Sequence, residues 1–486
     1  MPRPWSFPVA LDPAARAPLA RQIAGAITGD IRKGRLKAGA TLPGSRTLAA
    51  TLGVHRNTVL AAYRELEAEG WIESLDRSTR VARDLPEDPG RGRGQGRGQG
   101  SGPGQGLGFD LKAPEAPPRS LRPPKGALNL GGGFPDLRLV PKDLLARAYR
   151  RALRAKDAPL GYGDPLGDAR YRTAVAGLLS EMRGLAYGPE RILATNGSQM
   201  ALDLVARALL RPGDAVAVED PGYPMAWAVL RAAGAEVLPV PVDAQGLRVD
   251  ALEAILARRP LRLVYTTPHH QFPSTVTMSA PRRLQLLELA RRHRVALVED
   301  DYDFEFHFEG RPVLPLASAD PAGVVIYLGT LSKVLAPGLR LGFVAGPARV
   351  VEALAAQRLL VDHHGDQVME RAVAELLEDG LLQRHGRRMR RVLLERRDAL
   401  AEALQRRLGG ALAFDVPSGG MSLWAEARMP GAAAWAARCL QAGVAFPGGR
   451  LFDFRQRDSP FFRLGFAALT PEELKEAVRR MAAALP

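Results

Sequence analysis

Lys333 stands in LGTLSKVLAPGLRLGF, directly after the apolar run VVIYL, which places it in a loop at the C-terminal end of a strand. Ligand sites of α/β sheets form at that end, and an amine there is suited to condense with a carbonyl. In VALVEDDYD an apolar strand runs into acids. Asp300 and Tyr302 are two apart and point to one side of a strand, so a carboxylate and a phenol share one wall. ILATNGSQMALDLVARALL reads as strand, glycine turn and helix. The amides of Gly197, Ser198 and Gln199 then sit at a helix N-terminus, where free N–H groups and the dipole favour an anion. Thr330, Ser332 and Arg340 lie close in sequence to Lys333 and complete the clamp, Arg340 with a two-pronged guanidinium. EDPGYPM puts Tyr223 on a turn after the strand AVAVE, a platform on which a ring can stack.

A Schiff-base lysine, a carboxylate for a ring nitrogen, an anion clamp and a stacking face are what pyridoxal 5'-phosphate requires of a protein. A carboxylate at Asp300 holds the pyridine nitrogen protonated and preserves the ring as an electron sink; the Tyr302 hydroxyl reaches the phenolic oxygen. Singly, each feature is commonplace: Ser-x-Lys occurs by chance, and EDD is usually a solvated acidic turn. Four of them in compatible order point to one pocket.

The elements that must position these residues follow from periodicity. A chain of 486 residues with 46% hydrophobic content is expected to form two or three folding units. From residue 127 to 486, apolar runs (VAVED, LRLVYTTP, VALVEDD, VVIYLGT) alternate with Ala/Leu/Arg-rich helical stretches, the pattern of an α/β fold with a mainly parallel sheet. Residues 84–126 contain RGRGQGRGQGSGPGQG and then PEAPPRSLRPPK. Glycine supplies backbone freedom and no apolar surface, so this stretch reads as a flexible linker.

Residues 1–83 carry a different signature. Leu19, Ile23, Ile27 and Ile31 recur four apart on one helix face. SRTLAATLG forms a short helix with Ser45 as N-cap and Gly53 at its end, and after the turn VHRN a second helix runs to Gly70. Two short helices joined by a tight turn form the helix-turn-helix pattern, whose second helix enters the major groove of double-stranded DNA. WIESLDRSTRVA adds two strands with a basic turn at Arg77, Ser78 and Thr79, a wing. This stretch holds 13 Lys and Arg against 7 Asp and Glu, net +6, with Arg46, His55, Arg56 and Asn57 bunched at the helix-turn-helix.

Charge and composition agree. The formal net charge of +15 favours an anionic partner. A single cysteine, Cys439, excludes an internal disulfide and any multi-cysteine metal site, and no metal is expected. The start MPRPWSFPVALDP lacks the apolar core of a signal peptide, and no uncharged apolar run is long enough to span a bilayer. The expected location is the cytoplasm, on the bacterial nucleoid when DNA-bound, with no membrane partner.

TLPGSRTLAATLGVHRNTVLAAYRELEAEGWIES resembles the GntR-type winged-helix domain, and residues 127–486 resemble fold-type I aminotransferases. TPHHQFPSTVTMSAPRR, VEDDYDFEF and HGRRMRRVLLERRDAL make the whole chain similar to the MocR/GabR subfamily of bacterial regulators. The resemblance implies that Arg46, Arg56 and Thr58 contact phosphates or base edges of a promoter or operator. It further implies that Lys333 forms the Schiff base, Asp300 pairs with the pyridine nitrogen, Tyr302 with the ring hydroxyl, and Tyr223 stacks. Arg463 in FFRLGFA matches the arginine that holds a ligand carboxylate. Tyr162 in GYGDPLG matches a tyrosine that reaches the neighbouring subunit's phosphate, implying a homodimer. His270 and Gln271 occupy a cofactor loop, with Thr275 where the family commonly has glycine. The basic helix Arg387 to Arg397 reads as a solvated face. A regulator that senses pyridoxal phosphate or an amino compound is the implied function; the alternative is an active aminotransferase carrying a DNA-binding domain.

Overall fold

The computed structural model describes residues 11–12, 14–75, 78–85, 123–310 and 313–486. Arg77 and residues 86–122 of the linker fall outside the described residues. The chain divides into two compact units, Met1–Leu111 and Lys112–Pro486.

In the first unit the helix Leu19–Arg32 buries Ile23, Ala24 and Ile27, the inner part of the apolar stripe, while Leu19 and Ile31 lie at its margin. Helices Ser45–Leu52 and Arg56–Ala68 pack on it through Leu48, Val59, Ala62 and Leu66. The first of these is capped by Gly44, not by Ser45, whose side chain makes no cap bond. Ser45 Oγ instead accepts from Arg56 Nε at 3.2 Å. Gly53 at φ 65 ends the helix in the left-handed region that glycine enters without strain. The wing contains a third strand that periodicity did not suggest: Thr41–Leu42 pairs with Ser78–Val81, which pairs with Ile72–Leu75. Ser78 and Thr79 are therefore strand residues and not part of the wing turn. A two-residue strand carries too little alternation to be read from sequence.

The second unit is built on an eight-stranded sheet in the order 192–195, 342–345, 325–330, 296–301, 263–266, 215–220, 236–243, 246–247. Its central pairs are parallel, and Gly342–Ala345 runs antiparallel to both of its neighbours. Strand alternation distributes the core to the two faces. Ala215, Ala217, Val264, Leu297 and Val325 enter one cluster, while Val216, Val218, Leu263, Val298 and Ile326 enter the other. A smaller antiparallel sheet of Leu412–Phe414, Ser422–Ala427 and Phe461–Gly465 lies toward the C-terminus, with the long helix Leu381–Leu408. Arg396 and Arg397 on that helix are buried, against the reading of a wholly solvated basic face. Arg396 bonds to Asp136 at 2.8 Å and Arg397 to Glu309 at 2.7 Å, while Arg387, Arg388, Arg390 and Arg391 stay exposed. No helix among the described residues is long and apolar enough to cross a membrane.

Candidate cofactor cleft and DNA-facing helix

Strand alternation aims Asp300 to the same side as Val298 and Tyr265, and Tyr265 donates its hydroxyl to Asp300 Oδ2 at 2.7 Å. Asp300 Oδ1 is buried with no hydrogen-bond partner among the described residues. Burial pushes the Asp300 carboxyl up to about 6, with the Tyr265 hydroxyl opposing the shift. Tyr302 lies just past the strand end, since Ala296–Asp301 is the strand, yet it lines the same cleft as Asp300. Its hydroxyl donates to the backbone oxygen of His270 at 2.9 Å.

Lys333 follows the strand Val325–Thr330, and its Nζ donates to Gly133 O at 2.8 Å. Burial, and then the nearby Arg463 guanidinium, lower the Lys333 amine to about 8. Arg463 sits in the strand Phe461–Gly465 at 1% exposure, 4.3 Å from the centre of the Phe272 ring, and its Nε and one terminal nitrogen have no partner among the described residues. The run Gly131–Gly133 passes over both cations. A Cβ at Gly132 would lie 2.0 Å from the Arg463 guanidinium and 2.5 Å from Ser422 Oγ, so only glycine fits there. Lys333, Asp300, Tyr302, Tyr223, Ser198, Met225 and Arg463 all line one cleft of about 530 Å³.

The helix Ser198–Leu209 begins with Gly197 at φ 85 as its cap; of the expected anion clamp Ser198 lines the cleft, while Gly197, Gln199, Thr330, Ser332 and Arg340 are not among its lining residues. Arg340 donates to Asn196 O at 2.9 Å, and a Cβ on Gly197 would meet its guanidinium at 2.6 Å. Thr330 Oγ1 and Ser332 Oγ are 3.0 Å apart and buried, bonded to each other. Gln199 turns its side-chain amide to Met225 O at 3.5 Å, which leaves its contribution to the helix terminus as backbone. Tyr223, at the start of the helix Pro224–Ala232, meets Phe272 edge to face at 5.0 Å. Tyr162 is 93% exposed, beside the ring of His363 at 5.7 Å.

Two expected cofactor contacts point elsewhere. The His270 imidazole lies behind the cleft wall, its Nδ1 2.7 Å from Asp303 Oδ1. Gln271 turns its side chain to neighbouring backbone, donating to Pro221 O at 2.9 Å and Phe272 O at 2.7 Å and accepting from Ser274. Neither side chain lines the cleft. Thr275 adopts φ 65, a conformation strained for a β-branched residue and relaxed for the glycine that the resemblance leads one to expect. The sequence reading missed Tyr265, Phe272, Glu219 and the triple glycine. Of these only the GGG run carried a local signal. Glu219 anchors the loop by accepting from Thr266 Oγ1 at 2.6 Å and Thr267 Oγ1 at 2.7 Å.

The cleft suits pyridoxal phosphate on the chemistry of its groups. It offers a neutral-capable amine, a carboxylate with one open oxygen, a helix N-terminus backed by a guanidinium, and a second guanidinium with open donors. In the first unit, Arg46, His55, Arg56 and Asn57 are exposed and Thr58 is half-buried at the start of Arg56–Ala68. His55 Nδ1 accepts from the Asn57 N–H at 3.2 Å and so caps that helix.

Comparison with known proteins agrees with this division. Residues 125–481 match the family described as Aminotransferase class I and II, and residues 19–81 match Bacterial regulatory proteins, gntR family. The chain is 34% identical over 478 residues to the probable rhizopine catabolism regulatory protein MocR of Rhizobium meliloti, covering 98% of this chain and 95% of that one. It is also 34% identical to the HTH-type transcriptional regulator TauR of Rhodobacter capsulatus, covering 98% of each. Among solved structures, LysN, an alpha-aminoadipate aminotransferase from Thermus thermophilus, is similar with a TM-score of 0.69 at 34% identity. That match covers 74% of this chain and 92% of LysN.

Proposed function

Because the chain belongs to the aminotransferase class I and II family and carries a gntR-family head, the composition of MocR-type regulators, we propose that it is a transcription regulator whose cleft holds pyridoxal 5'-phosphate and senses it or an amino compound. One observation carries the reading: a helix-turn-helix with an exposed basic tip shares a chain with a cleft where Lys333, Asp300 and Arg463 converge. When bound, the cofactor supplies a conjugated electron sink for an amine carbon. Lys333 is the residue to attach it, and at about 8 its amine is partly unprotonated near neutrality and can carry a proton. Asp300 Oδ1 is the acceptor for a ring N–H, in a buried setting where a charge-assisted bond is strong. Arg340 and the amides of Gly197, Ser198 and Gln199 take the phosphate, and the open donors of Arg463 take a ligand carboxylate.

The exposed Tyr162 and the exposed apolar residues Leu160 and Leu360 fit a homodimer in which Tyr162 reaches the partner's phosphate site. The protein works in the cytoplasm on promoter DNA through Arg46, His55, Arg56, Asn57, Thr58 and Arg77. Residues 1–83 form the DNA-binding head, 84–126 the linker, and 127–486 the effector and dimerisation part. Active transamination is the second reading, favoured by the lowered Lys333 amine. Steady-state transamination across a panel of amino acids, set beside promoter binding with and without cofactor, separates the two. Turnover without any cofactor effect on DNA binding overturns the regulator.

A further inference from the structure

Behind the cleft wall lies a second cluster that the chemistry above does not use. Among the described residues, His269, His270 and His307 each offer a ring nitrogen, and the three nitrogens lie within 4.8 Å of one another. All three are buried, at 3%, 1% and 8% exposure. Neither ring nitrogen of His269 and not Nε2 of His270 has a hydrogen-bond partner among the described residues. Buried polar atoms are ordinarily paired, and several such nitrogens facing one another call for an occupant. Asp303 meets Nδ1 of His270 at 2.7 Å. A carboxylate on one imidazole nitrogen fixes the tautomer that presents the other nitrogen to a metal. Gly419 packs closely against that ring, since a Cβ there would stand 2.3 Å from His270 Nε2.

We propose that His269, His270 and His307 form a site for one divalent transition metal of the zinc class. Three imidazoles supply borderline nitrogen ligands suited to zinc, cobalt or nickel, and water completes a tetrahedron. The rings need to close by roughly an ångström to reach Zn–N distances of about 2.0–2.1 Å. The ion ties the segment His269–His270 to His307, whose backbone pairs with Gly419. Its role is structural. The wall it pins is the one whose His270 carbonyl holds the Tyr302 hydroxyl.

Chelator-treated full-length protein is titrated with Co²⁺ and with Zn²⁺, with and without pyridoxal phosphate. One Co²⁺ per chain should bind with the intense visible bands of a four-coordinate nitrogen site, whether or not the cofactor is present, and Zn²⁺ should displace it. Zn²⁺ should also raise the melting temperature, because an ion that binds only the folded chain stabilises it by mass action. His307→Phe should weaken Co²⁺ binding at least a hundredfold and abolish the thermal shift. If that variant does not fold, His307→Gln and the cobalt spectrum of the unaltered protein decide instead. A six-coordinate spectrum, no stoichiometric ion, or equal binding by the His307 variants overturns the site.

Discussion

Tyr265 donates its hydroxyl to one oxygen of Asp300 at 2.7 Å while the other oxygen, inside the cleft, has no partner among the described residues. The tyrosine thus holds the carboxylate in place and opposes the upward push of burial, leaving Oδ1 for a ligand N–H. Tyr265→Phe should weaken pyridoxal phosphate binding about tenfold, since a hydrogen bond to a charged group is worth about 1.5–3 kcal/mol and part is recovered by relaxation. Asp300→Asn should cost more, because the amide cannot neutralise a ring cation. Equilibrium dialysis of the cofactor checks both; an unchanged affinity in Asp300→Asn refutes the pairing.

Lys333 is the expected point of covalent attachment. Borohydride reduction followed by peptide mapping should leave the cofactor on this residue, and Lys333→Ala should lose the label while keeping its fold. The unprotonated amine is the attacking form and Lys333 is lowered to about 8. The capture rate should therefore rise with pH with a midpoint near about 8, well below the roughly 10.4 of a free lysine. Arg463 is the second cause of that lowering, so Arg463→Gln should move the midpoint upward.

The two clamp arginines should separate in their effects. Arg340 lies against Gly197 at the helix start, whereas Arg463 lies over the Phe272 ring and lines the cleft. Arg340→Ala should weaken cofactor binding at least about tenfold, as one lost charge-assisted bond of about 1.5–3 kcal/mol requires. Arg463→Ala should instead weaken the protection of the loaded protein by amino acids, with a smaller effect on the cofactor itself. Equal losses of cofactor affinity in the two variants refute this division.

Lys333, Asp300 and the Gly197 turn were legible because each lies at the end of an apolar run, and a strand end in an α/β sheet has a known use. Tyr265 and Glu219 were not, because their partners come from other strands and the intervening register is set only by the folded sheet. The resemblance puts His270 and Gln271 in a cofactor loop, but His270 Nδ1 turns to Asp303 and the Gln271 amide bonds to Pro221 O, partners that only the folded chain brings near. Arg396 was hidden by its neighbours: in a run of arginines nothing local marks the one that turns inward to Asp136.

Glu299 gives a pH signature. Burial raises its carboxyl to about 7, although the N–H groups of Leu316 and Ala317 donate to it. A carboxyl raised by folding contributes stability that is full below its ordinary value near 4 and is lost as pH rises through about 7. Glu299→Gln is neutral throughout, so its melting temperature relative to the unaltered protein should climb between about pH 4 and about pH 7. A difference that does not change with pH contradicts the raised carboxyl.

Arg56 and Asn57 are exposed at the start of Arg56–Ala68, the position from which a recognition helix reads the major groove. Arg56 Nε already donates to Ser45 Oγ, which orients the guanidinium and leaves its terminal nitrogens to make a bidentate contact. If those nitrogens read a guanine edge, Arg56→Ala should lose about 1–3 kcal/mol on the cognate site and little on altered sequence. If they meet only phosphate, binding should weaken uniformly and the salt slope should fall by about one. Ser45→Ala should then reproduce part of the Arg56 loss by freeing the side chain, without removing any charge. In a homodimer two heads act together, so DNA with two half-sites should bind far more tightly than DNA with one and with a steeper salt dependence. Anisotropy titrations of the full-length protein on one- and two-half-site duplexes check this, and equal affinity for both would falsify the paired-head reading.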